Sequence, residues 1–102
     1  MAWFTQAVQQ LAAGQQATVR PTGNSMTPKV MSKATVTLRP NSDPAGLKAG
    51  DIVLVKIKGT VYLHLISATD KQRVQISNNK GRVNGWVPRT SVFGVATKII
   101  NP

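Results

Sequence analysis

Two residues of this sequence could together carry out acyl transfer: a serine in a constrained loop and the chain's one histidine. Ser25 lies in the segment Gly23-Asn24-Ser25-Met26-Thr27-Pro28, where glycine and proline restrict the backbone. His64 lies in a β-branched stretch, and its ordinary pKa of about 6.5 lets it accept a proton at neutral pH. A serine hydroxyl held beside free amides needs such a base before it can attack a carbonyl. Ser25 and His64 are therefore the candidate nucleophile and general base.

Both residues also have an ordinary structural interpretation. Serine and asparagine favour turns because their side chains bond neighbouring amides, so the Ser25 loop taken alone is typical of a turn. Strand alternation places His64 on the same side as Tyr62 and Ile66, which is equally typical of a surface residue on a half-exposed strand. The residues by themselves leave the structural and the catalytic interpretation open.

Length and composition exclude several classes of protein. With 102 residues, of which 41% are hydrophobic, the chain is long enough for one small domain but too short for a multi-domain enzyme. It has no cysteine, which excludes disulfides, a thiolate nucleophile and cysteine-ligated metals. One histidine and three scattered aspartates are too few for a zinc or calcium site, so we expect no metal and no cofactor.

The formal net charge is +10, and most of it lies in the second half of the chain. Residues 1–51 carry five Lys or Arg and two Asp, whereas residues 52–102 carry eight and one. Such a field favours a polyanionic partner, which could be nucleic acid, an acidic protein or an anionic membrane surface, although dispersed lysines also serve as a solvated surface. The candidate binding residues are Lys80, Arg82, Trp86, Arg89 and Lys98.

Apolar periodicity predicts a mainly β fold with one short amphipathic helix at the N-terminus. The spacing predicts a helix over 2–13, a loop over 40–50, and strands over 35–39, 51–57, 60–66, 73–77 and 94–100. We expect a helical segment 1–14 and a β domain 15–102 that form a single domain, with a small coiled antiparallel sheet or partly open barrel. The helix could pack on the sheet, or insert its Trp-Phe start into a membrane interface or a partner. The apolar runs are too short to cross a bilayer, so we expect a soluble, cytoplasmic protein.

Three motifs in order resemble the signal-peptidase and LexA-like serine peptidase superfamily. They are the G-x-S-M-x-P box 23–28, the Gly50-Asp51 turn that opens an apolar strand, and the strand 61–66 that bears His64. The closing segment 87–96 is similar to the family's last turn and strand. The sequence is most similar to the members that use histidine, rather than lysine, as the base.

This resemblance implies a peptidase acting on a peptide, a protein or itself. Ser25 would attack a carbonyl, His64 would take its proton, and the Ser25 amide would form part of the oxyanion hole. Met26 would line the pocket or fill the core. The acid that orients the histidine is missing from 80–85, and Asn84 is the candidate replacement.

Two further alternatives concern what the chain acts on. The dipeptide Ala13-Gly14 is of the type that self-cleaving relatives cut, which makes it a candidate site of self-cleavage. The missing acid also favours a catalytically inactive relative that serves as a basic binding module.

Overall fold

One antiparallel open sheet and a short helix make up the residues that the computed structural model describes, which are 2–23 and 25–102. The elements are α1 (Thr5–Ala12), β1 (Ala17–Val19), β2 (Thr35–Pro40), β3 (Ile52–Ile57), β4 (Thr60–Thr69), β5 (Arg73–Ser77), β6 (Val83–Pro88) and β7 (Val92–Ile100). The strand order is β1-β2-β7-β3-β4-β5-β6, so β1 and β6 are the edges and the sheet is not closed. The prediction of a mainly β fold is confirmed.

The predicted elements are confirmed with shifts at their ends, and two strands were missed. The helix begins at Thr5 rather than at residue 2, and β4 continues to Thr69 because it also pairs with β5. β1 has only three residues, too few for an alternating pattern. β6 contains Asn84-Gly85 and ends at Pro88, which are residues typical of turns rather than strands.

Both faces of the central strands are buried, and this explains their nearly continuous apolar sequence. In β3, Leu54 points into a first core, whereas Val53, Val55 and Ile57 point into a second core on the opposite face. β4 divides in the same way, because Leu63 faces the first core and Ile66 the second. Strand alternation therefore fixes which side chains of β4 can share a face with His64.

The helix α1 packs on the sheet. Ala7 and Leu11 are buried in the first core, with 4% of each side chain exposed. Gly94 of β7 lies beneath Leu11, and a Cβ added there would come within 2.9 Å of the leucine methyls. The helix thus occupies the position that the packing interpretation predicts. No helix in the described part of the chain has the length and apolar character needed to span a membrane.

One edge of β4 is open next to the predicted nucleophile loop. β3 pairs with β4 from Thr60 to Leu65, but β5 pairs with it only from Leu65 onwards. Among the described residues, the stretch 60–64 therefore has a strand on one side only. His64 lies at the end of this stretch, where the loop containing Ser25 approaches.

Candidate functional site

The structure places Ser25, His64 and Asn84 in one line of hydrogen bonds. Ser25 Oγ lies 3.1 Å from His64 Nε2, although the two residues are 39 positions apart in sequence. On the other side of the ring, His64 Nδ1 lies 2.7 Å from Asn84 Oδ1. A hydroxyl, an imidazole and an orienting acceptor in this order form the geometry of a nucleophile with its base.

The hydrogen bond to Asn84 decides which ring nitrogen of His64 carries the proton. An amide oxygen can only accept, so Nδ1 is protonated and donates to Asn84 Oδ1. In the neutral ring Nε2 is then unprotonated and accepts from the Ser25 hydroxyl. This is the tautomer that a general base facing Ser25 requires.

A β-bulge directs Asn84 towards His64. Ile76 pairs with Gly85 and Ser77 with Val83, so Asn84 is an extra residue in β6 with no counterpart in β5. Gly85 has a φ of +139°, a conformation that side chains strongly disfavour. Sequence reasoning missed this strand and its bulge, and the Asn84-Gly85 pair is the one signal of them that the sequence contains.

Asn79, which the sequence analysis did not single out, holds the loop that carries Ser25. Its backbone N–H donates to the Ser25 carbonyl, and its side-chain Nδ2 donates to the Thr27 carbonyl, both at 3.0 Å. Asn79 belongs to the turn between β5 and β6, and β6 carries Asn84. One hairpin therefore positions both the serine loop and the residue that orients His64.

His64 is buried rather than on the surface, which corrects the surface interpretation. Only 6% of its side chain is exposed, and the ring of Tyr62 stacks on it with centroids 4.6 Å apart. Burial lowers the pKa of His64 below its ordinary value, while the hydrogen bond to Asn84 acts in the opposite direction. The imidazole is therefore neutral, and able to act as a base, at neutral pH.

A pocket of about 180 Å³ opens beside Ser25 and His64. Met26 lines the pocket and is also buried in the first core, so it has both of the roles that the resemblance offered as alternatives. Trp3 contributes to the wall, although sequence periodicity had assigned it to the helix. The remaining walls include Pro21, Thr22, Val30, Met31, Val61 and Leu63. The pocket can hold a small or medium side chain next to the Ser25 hydroxyl, with apolar contacts from Met26, Val30 and Leu63.

The structure does not gather the five candidate anion-binding residues on one surface. Lys80 and Arg82 lie in the turn between β5 and β6, close to Ser25, and Lys98 lies in the second half of β7. Trp86 is 41% exposed on β6, with the Arg73 guanidinium 5.2 Å from its ring centroid. Arg89 lies elsewhere, because its guanidinium donates to the carbonyls of Asp70, Pro44, Ala45 and Leu47.

Asp51 and Asp70 hold turns and do not contact His64. Asp51 accepts a hydrogen bond from the Lys48 amide within the turn that precedes β3. Asp70 accepts from the amides of Gln72 and Arg73 and pairs with the Arg73 guanidinium, and these contacts lower its pKa. The acid that is missing next to His64 is therefore not supplied by either residue.

The chain is similar to one family of known proteins. It matches the family model described as Peptidase S24-like over residues 3–95. No curated protein and no solved structure gave a significant match. The match covers most of the chain, including the serine loop, His64 and Asn84. The chain therefore belongs to the Peptidase S24-like family, within the LexA and signal peptidase superfamily.

Proposed function

We propose that this protein is a serine peptidase in which Ser25 is the nucleophile, His64 the general base and Asn84 the residue that orients His64. The observation that carries the proposal is the hydrogen-bonded line from Ser25 Oγ through both nitrogens of His64 to Asn84 Oδ1. Family membership supports the same chemistry. The alternative of an inactive binding module has no comparable geometry in its favour.

The reaction would follow the usual two steps of acyl transfer. Ser25 Oγ attacks the carbonyl carbon while His64 Nε2 takes the hydroxyl proton, and the oxyanion that forms is stabilised by the Ser25 amide. The intermediate then collapses, the C–N bond breaks, and the leaving amine takes the proton from Nε2. A water molecule next attacks the acyl-enzyme and gives its proton to Nε2, which returns it to Ser25 as the carboxylic acid leaves.

An asparagine in place of an acid changes the strength of the base but not its orientation. The amide of Asn84 fixes the ring and its tautomer, as an asparagine does in papain-type proteases. It adds no negative charge to stabilise the imidazolium that forms when His64 takes the serine proton. We therefore expect slow turnover compared with an enzyme that has a carboxylate at this position.

The open edge of β4 offers a way to hold a peptide. An extended chain can add to an unpaired strand edge, with main-chain hydrogen bonds giving affinity and pockets giving specificity. The stretch 60–64 and the pocket beside Ser25 lie side by side, so a peptide on this edge would put one side chain into the pocket. A separate peptide is favoured over Ala13-Gly14, because Gly14 lies near Pro40 and Phe93, away from the Ser25 pocket.

A serine-directed fluorophosphonate probe tests the proposal. We expect intact mass to show one adduct, and peptide mapping to place it on Ser25. The adduct should be absent from Ser25→Ala and from His64→Ala, and retained in Ser42→Ala, which removes an exposed serine elsewhere. Digestion of a mixed peptide library should show the same dependence. Labelling or cleavage that persists in Ser25→Ala would contradict the proposal.

A further inference from the structure

Basic side chains gather at the end of the sheet that carries the Ser25 cleft. This end, called the site end below, consists of the loop 20–33, the turn 58–59 between β3 and β4, and the turn 78–82 between β5 and β6. These segments adjoin because Asn79 bonds the Ser25 loop and because Val61 and Tyr62, just after the first turn, line the pocket. Asn101, just after β7, also bonds the loop 20–33, because its Oδ1 accepts from the Met31 amide.

All the basic side chains at the site end are exposed to solvent. Lys33 donates its amide to the carbonyl of Pro21, a pocket residue, and Lys80 directly follows Asn79. The exposed basic residues of these segments are Arg20, Lys29, Lys33, Lys58, Lys80 and Arg82. They come from both halves of the chain, so the concentration of charge is a property of the fold rather than of the second half.

None of the three aspartates belongs to the segments of the site end. Asp51 pairs with Ile66, Asp70 lies in the turn after β4, and Asp43 precedes the short 3-10 turn Pro44–Gly46. Two of them already have cationic partners, in Lys48 and Arg73. Within the described residues, the cations of the site end therefore have no aspartate to neutralise them.

We propose that the cleft recognises acidic peptides, with one apolar residue held in the pocket and acidic residues on either side of it. The proposal rests on the peptidase function above and specifies its substrate class. A peptide lying along residues 60–64 of β4 would pass between Lys58 at one turn and Lys80 and Arg82 at the other. Carboxylates on such a peptide would meet uncompensated positive charge, which favours both encounter and orientation.

The same surface is less suited to single-stranded nucleic acid. Proteins that bind single strands combine cations with exposed aromatic rings on which bases stack. Here the exposed Trp86 pairs with Gln75 and has Arg73 over its ring, on the far side of the bulge from the cleft. The pocket itself, of about 180 Å³, has the aliphatic side chains of Met26, Val30 and Leu63 beside the rings of Trp3 and Tyr62, and this volume suits one amino-acid side chain.

Binding to the Ser25→Ala protein tests this proposal without requiring turnover. Fluorescence anisotropy would compare three labelled peptides with the same central leucine and flanking Glu, Gln or Lys. We expect the Glu peptide to bind about tenfold more tightly than the Gln peptide at low salt, since several individually weak exposed ion pairs form. The difference should shrink as salt is added, because exposed charges are screened. Replacing the central leucine by serine should also weaken binding.

A pair of charge-matched variants locates the effect. Lys80→Gln with Arg82→Gln should remove most of the preference for Glu. Arg39→Gln with Lys71→Gln, which removes the same charge from outside the site end, should retain it. Equal binding of the Glu and Gln peptides, or equal loss in both double variants, would overturn the proposal.

Three further outcomes distinguish this proposal from nucleic-acid binding and from the peptidase function. An oligo-dT that binds more tightly than the Glu peptide, with no effect of the central leucine, would overturn it in favour of nucleic acid. If the Glu peptide binds tightly but the wild-type protein does not hydrolyse it, the peptidase function is contradicted and the preference for acidic peptides is still supported. If the wild-type protein hydrolyses the Glu and Gln peptides with equal kcat/KM, the peptidase function is supported and the preference for acidic peptides is overturned.

Discussion

Asn84 Oδ1 lies closer to His64 than Ser25 Oγ does, at 2.7 Å against 3.1 Å. The Asn84 oxygen can only accept, which fixes the ring proton on Nδ1 and leaves Nε2 to take a proton from the Ser25 hydroxyl. A neutral amide thus orients the imidazole as an acid would, but it adds no negative charge. The proposed chemistry depends on this asymmetry, and substitutions at Asn84 examine it most directly.

Replacing Asn84 with aspartate should increase the rate of hydrolysis. A carboxylate beside Nδ1–H stabilises the imidazolium that forms as Ser25 attacks, and it raises the pKa of His64. The pH profile of kcat/KM for Asn84→Asp should therefore have its acid limb at higher pH than the wild type. Steady-state kinetics from about pH 5 to about pH 9 would measure both effects.

Asn84→Ala is the matched loss of function. It removes the bond that fixes the tautomer, so we expect kcat to fall while the pKa of His64 moves further down, because burial then acts alone. Equal rates and equal pH profiles for Asn84→Asp, Asn84→Ala and the wild type would show that Asn84 does not act through His64.

The lowered pKa of His64 should make folding stability depend on pH. The folded protein binds the imidazole proton less readily than the unfolded chain, whose pKa is about 6.5. The stabilising contribution is therefore complete above about pH 6.5 and is lost as the pH falls through the folded pKa. Denaturant unfolding at about pH 8 and about pH 5 should show a larger loss for the wild type than for His64→Gln. Parallel losses in the two proteins would contradict the assignment.

Asn79→Ala should reduce activity by loosening the serine loop. The substitution removes the bond from Nδ2 to the Thr27 carbonyl but leaves the backbone bond to Ser25, so we expect kcat to fall and the pH profile to stay unchanged. The cost in stability should be about 1 kcal/mol. Asn101→Ala is the control, because its side chain holds the same loop further from Ser25, at Met31. Equal effects of the two variants on kcat would argue against a specific role for Asn79.

The sequence predicts the parts of this site that follow from local pattern. Alternation along 60–66 correctly placed His64 beside Tyr62, and the serine loop stands out through its glycine and proline. Burial of His64 was not predictable in the same way, because an alternating strand can expose either face. Its cover comes from residues distant in sequence, among them the Ser25 loop.

Local sequence patterns do not predict the bulge at Asn84 or the contacts of Asn79, and the reason differs from that for His64. A bulge depends on the register between two strands, and β6 contains residues that favour turns. Asn79 uses its own backbone N–H and its own side-chain amide to hold a loop that is 52 residues away at Thr27. Only the folded chain brings such groups together, which is why the asparagine at position 79 carried no signal.

Tyr62→Leu should reduce activity more than Tyr62→Phe. The ring of Tyr62 stacks on the imidazole, so an aromatic face supports its orientation and favours the imidazolium that forms in the reaction. Phenylalanine keeps this face and leucine does not. We expect the acid limb of kcat/KM to lie at lower pH in Tyr62→Leu than in Tyr62→Phe. The idea fails if both variants have the same profile and the same kcat.

Gly85→Ala should uncouple the orienting residue from the base. Gly85 has a φ of +139°, so alanine there would strain the backbone of the bulge even though its Cβ meets open space. We expect the free energy of unfolding to fall by about 1–2 kcal/mol and kcat to fall as Asn84 is displaced. Gly50→Ala is the matched control, because Gly50 also has a positive φ, of +98°, and open space at its Cβ, but lies in the turn before β3, outside the site end. It should lose similar stability and keep its kcat, whereas equal losses of kcat would mean that strain anywhere in the sheet slows the enzyme.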